Sequence, residues 1–278
     1  MRFSERASLT NPTKQTLPRP VDVIVTVLLP WLIFSLIVSL LVFAYEDYGP
    51  IVWALVVVCL LLSLLFVTTG VAVKRPLQVA LGLLVLTSVG VSIPVGFCIE
   101  SEFMVDFWRV DNGASYKQVS ASDPAVARSD AAVLEFVAGT SVDAKSSVGY
   151  MKRGTVYCVA PVVGAAASDA GPGYWAAGTD CCEQRGGFSC GDVKDPHALT
   201  GVAIPDEEGH FATAVRAAVS THGLTEPSGK IIFLDWTASG PKYKEGLWTN
   251  AALFVMVSST VHFGISACGG IFAARAKL

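Results

Sequence analysis

The sequence predicts an integral membrane protein, a four-transmembrane-helix bundle with a disulfide-bonded α+β extramembrane domain between helices 3 and 4. Charged residues make up 15% of the 278 residues, against roughly 25% in ordinary soluble domains. Segments 21–98 and 248–272 together hold only five charged side chains, whereas 99–247 has an ordinary charge density. This split excludes a fully soluble enzyme, a disordered chain and a nucleic-acid binder with a basic surface.

The predicted membrane spans are four apolar runs. A helix needs roughly 20 apolar residues to cross the hydrocarbon core, and the runs that qualify are 23–44, 51–73, 77–99 and 248–274. We therefore expect a tail at 1–20, helices 1–3 within 21–98, the extramembrane domain at 99–247, helix 4 at 248–272 and a second tail at 273–278.

Basic residues predict the orientation of these spans. The N-terminal tail, the loop between spans 2 and 3 and the C-terminal tail carry them, whereas the loop at 45–50 holds Glu46 and Asp47 and no basic residue. Both termini are expected to be cytoplasmic (or stromal), with the domain extracellular or lumenal. The first span is expected to act as an uncleaved signal-anchor. The sequence leaves plasma membrane or organelle open.

The domain at 99–247 is acidic and predicted to be folded. It contains 12 lysine and arginine residues against 19 aspartate and glutamate residues, a net charge of −7. Apolar runs rich in β-branched and aromatic residues predict strands at 132–138, 155–163 and 230–236. Helical spacing predicts a helix at 207–222 that ends at Gly223. Segment 164–201 is interpreted as a disulfide-held loop.

Four cysteines fall in this domain: Cys158, Cys181, Cys182 and Cys190. An even number outside the cytosol favours disulfides. Adjacency would strain a bond between Cys181 and Cys182. The expected pairing therefore joins Cys158 to one of these two residues and Cys190 to the other, and the choice stays open.

Three cysteines lie outside the domain, and the cysteines of the domain have one alternative role. Cys59, Cys98 and Cys268 lie in the spans, where they are interpreted as small packing residues. The alternative to disulfides is a zinc site, for which Cys181, Cys182, Cys190 and His197 offer four ligands. Their spacing lacks the usual Cys-x-x-Cys knuckle, and therefore we prefer the disulfides and expect no metal.

No catalytic pattern appears in the sequence. Nucleotide-binding glycine motifs, His-Glu-x-x-His and Gly-x-Ser-x-Gly are all missing from it. His210 and His222 lie on different faces of the predicted helix. The run 206–208 is interpreted as a charge cluster at the helix N-terminus rather than an acid/base pair. We therefore expect no catalytic residues, no cofactor and no enzyme activity.

Within the spans, His262 is the ionisable residue near the middle of a helix. We interpret it as hydrogen-bonded between helices, with a pigment magnesium or haem iron ligand as the alternative. Small residues recur at four-residue spacing, which permits close helix packing. They serve the bundle itself or a partner protein, and the positions are Ser35, Ser39, Ser88, Ser92, Gly96, Gly264 and Cys268.

The plan of four spans with a large second outer loop containing Cys181-Cys182 resembles the tetraspanins. That likeness is one of topology, because Glu183 stands where tetraspanins have glycine. A closer resemblance is to uncharacterised multi-pass membrane proteins of dinoflagellate algae. It rests on 157–161, Trp175, 178–182, Phe188 and Cys190, followed by an amphipathic helix and a strand ending at Trp236. This resemblance covers about 115–240 and implies a shared disulfide-bearing lumenal domain, but no activity.

The sequence thus favours a non-enzymatic interaction or scaffold protein that presents an acidic domain to partners. Its expected partners are the lipid bilayer and other membrane proteins, with no nucleic acid, and a small-molecule ligand is left open. The alternative is an auxiliary subunit of a larger membrane complex, such as a transport assembly or, in a photosynthetic source, a thylakoid complex. A lumenal enzyme is the least favoured class.

Overall fold

The structure is a computed structural model that describes residues 20–164, 171–227 and 229–275. The chain divides into two compact units. The bundle unit contains the residues up to Glu102 together with those from Ala251 onwards, and the domain unit is Phe103–Asn250. The six α-helices of the described residues are α1 Pro20–Phe43, α2 Tyr45–Ala72, α3 Pro76–Ile99, α4 Val105–Asn112, α5 His210–His222 and α6 Gly240–Arg275.

Four of the described helices are long and apolar enough to cross a membrane, as the sequence predicts. They are α1, α2, the continuous helical segment Pro76–Asn112 that begins with α3, and α6. The helices extend beyond the predicted spans. α2 begins at Tyr45, so that the predicted loop at 45–50 forms its first turns, with non-helical backbone at Tyr48. Hydropathy marks the part of a helix that suits lipid, whereas hydrogen bonding decides where the helix ends.

Small residues let the helices of the bundle unit approach closely. A β-carbon on Gly96 of α3 would lie 2.8 Å from the Leu41 Cβ of α1. A β-carbon on Gly82 would lie 2.9 Å from the Ser63 carbonyl oxygen of α2. α3 therefore packs against both α1 and α2. The aliphatic core between these helices consists of Ile37, Leu41, Val52, Val56, Val85 and Val89.

The domain unit contains one mixed sheet of eight described strands. They are β1 Ala114–Val119, β2 Ala131–Phe136, β3 Ser141–Val142, β4 Val148–Lys152, β5 Thr155–Val163, β6 Tyr174–Thr179, β7 Thr200–Ile204 and β8 Ile232–Thr237. The order is β1-β2-β7-β8-β6-β5, and both β3 and β4 pair with β5. Pairs β1–β2 and β6–β8 are parallel, and the others are antiparallel.

Alternate residues of the central strands point to two different cores. On one face Val159, Trp175 and Phe233 pack with the apolar side of α5. On the other face Tyr174, Leu234 and Trp236 pack beneath the segment that follows β6. This segment, residues 180–199, contains three of the four disulfide cysteines, and we call it the covering segment. Both faces of the central sheet are therefore covered, one by a helix and one by the cysteine-bearing segment.

Several predicted elements are present and others were missed. β5 has the predicted bounds, β2 and β8 lie within two residues of theirs, and α5 starts three residues later than predicted. Gly223 ends α5 with a left-handed φ of 63°. The interpretation of 164–201 as loop is wrong for β6. This strand was missed because its small residues, such as Ala176 and Ala177, have low strand propensity.

Candidate functional site

Two disulfides brace one face of the domain. Cys158 is bonded to Cys182, and Cys181 is bonded to Cys190. The prediction of two disulfides is confirmed, and the structure selects one of the two pairings that the sequence left open. The adjacent cysteines thus connect in different directions: Cys182 to strand β5, and Cys181 to Cys190 within the covering segment.

Two glycines make room for these bonds. A β-carbon on Gly178 would lie 2.8 Å from Cys190 Sγ and 3.0 Å from Cys181 Sγ. A β-carbon on Gly149 would lie 2.9 Å from Cys182 Sγ. The neighbouring Ser189 donates hydrogen bonds from its amide and its hydroxyl to the Cys181 carbonyl, at 2.8 and 3.0 Å. The covering segment is therefore held by covalent bonds, hydrogen bonds and close packing together.

The cysteines of the alternative zinc site are not free thiolates in the structure. The sulfur atoms of Cys158, Cys181 and Cys190 lie within 4.8 Å of one another, but each belongs to a disulfide and therefore offers no thiolate to a metal. His197 is exposed and is not among the described ligand side chains within that distance. Its backbone amide donates a 2.9 Å hydrogen bond to Asp195 Oδ1.

A carboxyl group that the sequence analysis missed lies beside this disulfide-held segment. Asp235, on β8, lines a cleft of about 370 Å³ together with Cys181, Cys190 and Gly191. Burial raises the pKa of Asp235, and the nearby carboxylates of Asp192 and Asp106 raise it further. A hydrogen bond from the Tyr243 hydroxyl opposes these effects. The sequence signal that could have identified Asp235 is an aspartate in the middle of an apolar strand.

The two carboxylates that raise the pKa of Asp235 form hydrogen bonds or ion pairs of their own. Asp192 accepts hydrogen bonds from Thr237 Oγ1 at 3.2 Å and from the Ala238 amide at 2.9 Å. Asp106 forms a 2.5 Å ion pair with Arg109. The contacts of Asp192 join the segment after β6 to the end of β8, whereas the Asp106–Arg109 pair lies within α4.

The acidic run lies just before α5, at the helix N-terminus where the sequence predicts a charge cluster. Asp206 accepts hydrogen bonds from the amides of Phe211 and Ala212, at 3.2 and 2.8 Å, and satisfies free donors of the helix N-terminus. Glu208 pairs with His210 Nε2 at 2.7 Å. At the opposite end of the helix, His222 Nε2 lies 3.3 Å from the Ser147 carbonyl. The two histidines therefore do not form a ligand pair.

Open grooves lie on both sides of this acidic run. One, of about 500 Å³, is lined by residues that include Ala203, Ala212 and Ile231. The other, of about 220 Å³, is lined by residues that include Tyr157 and Phe211. Segment 205–209 separates the two grooves, and we call it the acidic ridge. Exposed carboxylates and the partly buried apolar side chains of the groove walls thus lie side by side.

In the bundle unit, His262 is buried and bonded between helices. Its Nε2 lies 2.8 Å from Ser88 Oγ on α3, and its ring stacks on Phe34 of α1 with centroids 4.0 Å apart. The Ser88 hydroxyl also donates to the Leu84 carbonyl within its own helix at 2.7 Å. Ser88 and His262 therefore form a polar contact between α3 and α6.

A second polar contact joins α1 to α6. Trp31 Nε1 donates to Ser259 Oγ at 3.0 Å, and Ser35 Oγ lies 2.5 Å from the same oxygen. Of the seven small residues predicted to permit close packing, Ser35 and Ser39 are half-buried, and the other five divide into two groups. Ser88, Ser92 and Gly96 are buried inside the bundle unit, whereas Gly264 and Cys268 are exposed on α6. A β-carbon on Gly264 would meet no atom of the described residues within 4 Å outside its own stretch of α6.

Comparisons with known proteins add nothing to this description of the sites. The chain matches no protein family model, no curated protein and no solved structure.

Proposed function

We propose that this protein is a non-enzymatic membrane scaffold whose acidic, disulfide-braced extramembrane domain binds partner proteins. The acidic ridge between its two grooves is the observation that carries the proposal. Glu207 and Glu208 are exposed on the ridge, and the groove walls supply apolar contact area. A partner with basic and apolar side chains complements this surface. Long-range attraction between opposite charges would speed the encounter, and apolar contact would stabilise the complex.

The disulfides support this proposal because they make the presenting domain rigid. A preordered surface loses less conformational entropy on binding than a flexible one. The net charge of −7 for 99–247 also favours basic partners over acidic ones.

The test is chemical cross-linking in native membranes, followed by purification in mild detergent and identification of the cross-linked proteins. Glu207→Lys should remove a partner recovered with the unmodified protein, because it reverses a charge on the ridge but leaves the Asp206 cap and the Glu208–His210 pair in place. Glu226→Lys is the matched control, since Glu226 is an exposed carboxylate that is not among the lining residues of either groove. Equal recovery with both variants would contradict a role for the ridge.

The alternative function, an auxiliary subunit of a larger membrane complex, is favoured by one observation. Gly264 and Cys268 lie exposed one helical turn apart on α6, where small residues would let a helix of another protein approach closely. Sizing after mild extraction distinguishes the two functions. A small particle is expected for the scaffold, and stable co-migration with a large complex, lost in Gly264→Leu, is expected for the subunit.

A further inference from the structure

At one end of the bundle unit, a cavity of about 350 Å³ lies between α1 and α3, and the proposed scaffold function does not use it. Its described lining residues are Asp22, Val25 and Thr26 from α1, and Arg75, Leu77, Gln78 and Leu81 from the start of α3. Both helices are among those long and apolar enough to cross a membrane. The cavity therefore lies where a membrane span begins.

The lining changes from polar to apolar with depth. Arg75 precedes the first residue of α3, and Leu81 lies about 9 Å further along the helix at 1.5 Å per residue. On α1, Asp22 likewise precedes Val25 by about one turn. The mouth is thus charged and the deeper wall is aliphatic. This gradient matches a phospholipid, which has a charged headgroup above an apolar chain.

The turn that supplies Arg75 is well held. The Arg75 amide donates to the Gly70 carbonyl at 2.8 Å, and its own carbonyl accepts from the amides of Gln78 and Val79. The Gln78 side chain donates to Thr69 Oγ1 at 2.8 Å. Little ordering of the backbone would therefore be needed when a ligand binds.

Arg75 is the cation in the described lining, and Lys74 precedes it in the same turn. Among the described residues, neither Lys74 nor Arg75 forms an ion pair, and both are exposed. Asp22 is the carboxylate in the described lining. Arg75 and Asp22 balance each other within the lining, and the exposed Lys74 next to Arg75 adds one positive charge, which favours a ligand with net negative charge. A guanidinium binds phosphate oxygens in a bidentate manner.

We propose that this cavity binds an anionic phospholipid, with its phosphate at Arg75, next to Lys74, and one acyl chain along Val25, Leu77 and Leu81. A zwitterionic lipid offers the same phosphate but adds a cation, which leaves the charge of Lys74 unbalanced. A free phosphate offers the charge but leaves the aliphatic wall exposed. The net negative charge and the acyl chain are both required.

The test uses the full-length protein in neutral detergent, with bound lipids counted by native mass spectrometry. Dioleoylphosphatidylglycerol is compared with dioleoylphosphatidylcholine, and the phosphatidylglycerol should bind preferentially. Arg75→Gln should lower the relative affinity for phosphatidylglycerol about fivefold, as expected for one lost cation near an anionic headgroup. Arg216→Gln, which removes the same charge from the exposed side of α5, should leave it unchanged.

A second variant and a soluble probe test the acyl-chain wall. Val25→Trp places a large ring in the cavity at a half-exposed position and should abolish the preference, with the thermal melting temperature in lipid-free detergent unchanged. Glycerol 3-phosphate should not displace bound phosphatidylglycerol at equal concentration. Equal binding of the two lipids, equal losses in Arg75→Gln and Arg216→Gln, retained preference in Val25→Trp, or displacement by glycerol 3-phosphate would each overturn the proposal.

Discussion

The bundle unit and the domain unit both bury apolar side chains, but different interactions decide their structures. The domain has a sheet covered on two faces, with aromatic residues in its cores and two disulfides. The bundle has aliphatic contacts, close approach at glycines and hydrogen bonds such as Ser88–His262. The cysteines follow the same division, because Cys59, Cys98 and Cys268 are free.

Lipid around the four long apolar helices and water around the domain would produce this difference. In water, covering an apolar sheet face is itself strongly favourable. In lipid, acyl chains are as apolar as the helix side chains, so that burial against another helix gains little transfer free energy. Shape complementarity and polar contacts then determine how helices pair. Four predictions test this contrast, from the largest expected effect to the smallest.

The largest effect should come from removing a disulfide in the domain. The double variant Cys158→Ser, Cys182→Ser should lower the free energy of unfolding of the domain by about 2–5 kcal/mol, because the reduced unfolded chain gains conformational freedom. Chemical denaturation followed by tryptophan fluorescence measures it. The control is Cys268→Ser, which changes a free, exposed cysteine and should have no effect. Equal stability of the double variant and the unmodified protein would contradict the bracing role.

Two fully buried valines allow a matched comparison. Val159 in the domain and Val89 in the bundle are both 0% exposed. Val159→Ala should lower the free energy of unfolding by about 1.5 kcal/mol or more, from lost transfer free energy and a cavity. Val89→Ala should cost clearly less, because only packing is lost. Denaturation of both variants in the same detergent measures the difference. The control variants Val163→Ala in β5 and Val57→Ala in α2 measure how much of each cost comes from strand or helix propensity. Equal costs would contradict the contrast between media.

The polar contact in the bundle should contribute a smaller amount. Ser88→Ala removes the hydroxyl that faces His262 and should lower the free energy of unfolding by about 0.6 kcal/mol, with an upper bound of about 2 kcal/mol. Reversible unfolding in mixed micelles measures it. Thr87→Ala is the neighbouring control, since the Thr87 hydroxyl bonds within its own helix to the Leu84 carbonyl. A greater loss from Thr87→Ala than from Ser88→Ala would refute the interhelical role.

The smallest effect should be a change of slope with pH at Asp235. Its pKa is higher in the folded domain than the unperturbed value of about 4, so the folded state binds the proton more tightly. Stability should therefore fall as pH rises from about 4 through the raised pKa, and the cost should persist above it. Asp235→Asn should flatten this decline and stabilise the domain at neutral pH.

Thermal melts from pH 4 to pH 8 measure that slope. Glu226→Gln, at an exposed carboxylate, is the control and should leave the slope as it is in the unmodified protein. An unchanged slope in Asp235→Asn would show that other groups govern the pH dependence.

Predictability from sequence varied with how local the signal is. The strand at 155–163 and the end of α5 at Gly223 were predictable because a β-branched run and a glycine C-cap act within a few residues. β6 was not predictable, because Tyr174, Trp175, Ala176 and Ala177 are placed by neighbours on both sides of the sheet. Those neighbours, the disulfide-held segment and α5 among them, come from distant parts of the chain.

The sequence by itself determined the four lipid-length apolar helices, the acidic character of 99–247 and the presence of disulfide-forming cysteines, because these depend on composition over short stretches. Only the tertiary structure decided that Cys182 pairs with Cys158 and Cys181 with Cys190, and that Ser88 meets His262. It also decided that Asp235 is partly buried near other carboxylates and that Arg75 lies at the mouth of a partly aliphatic cavity. These features depend on which segments become neighbours in space, and the separation of residues along the chain does not determine that.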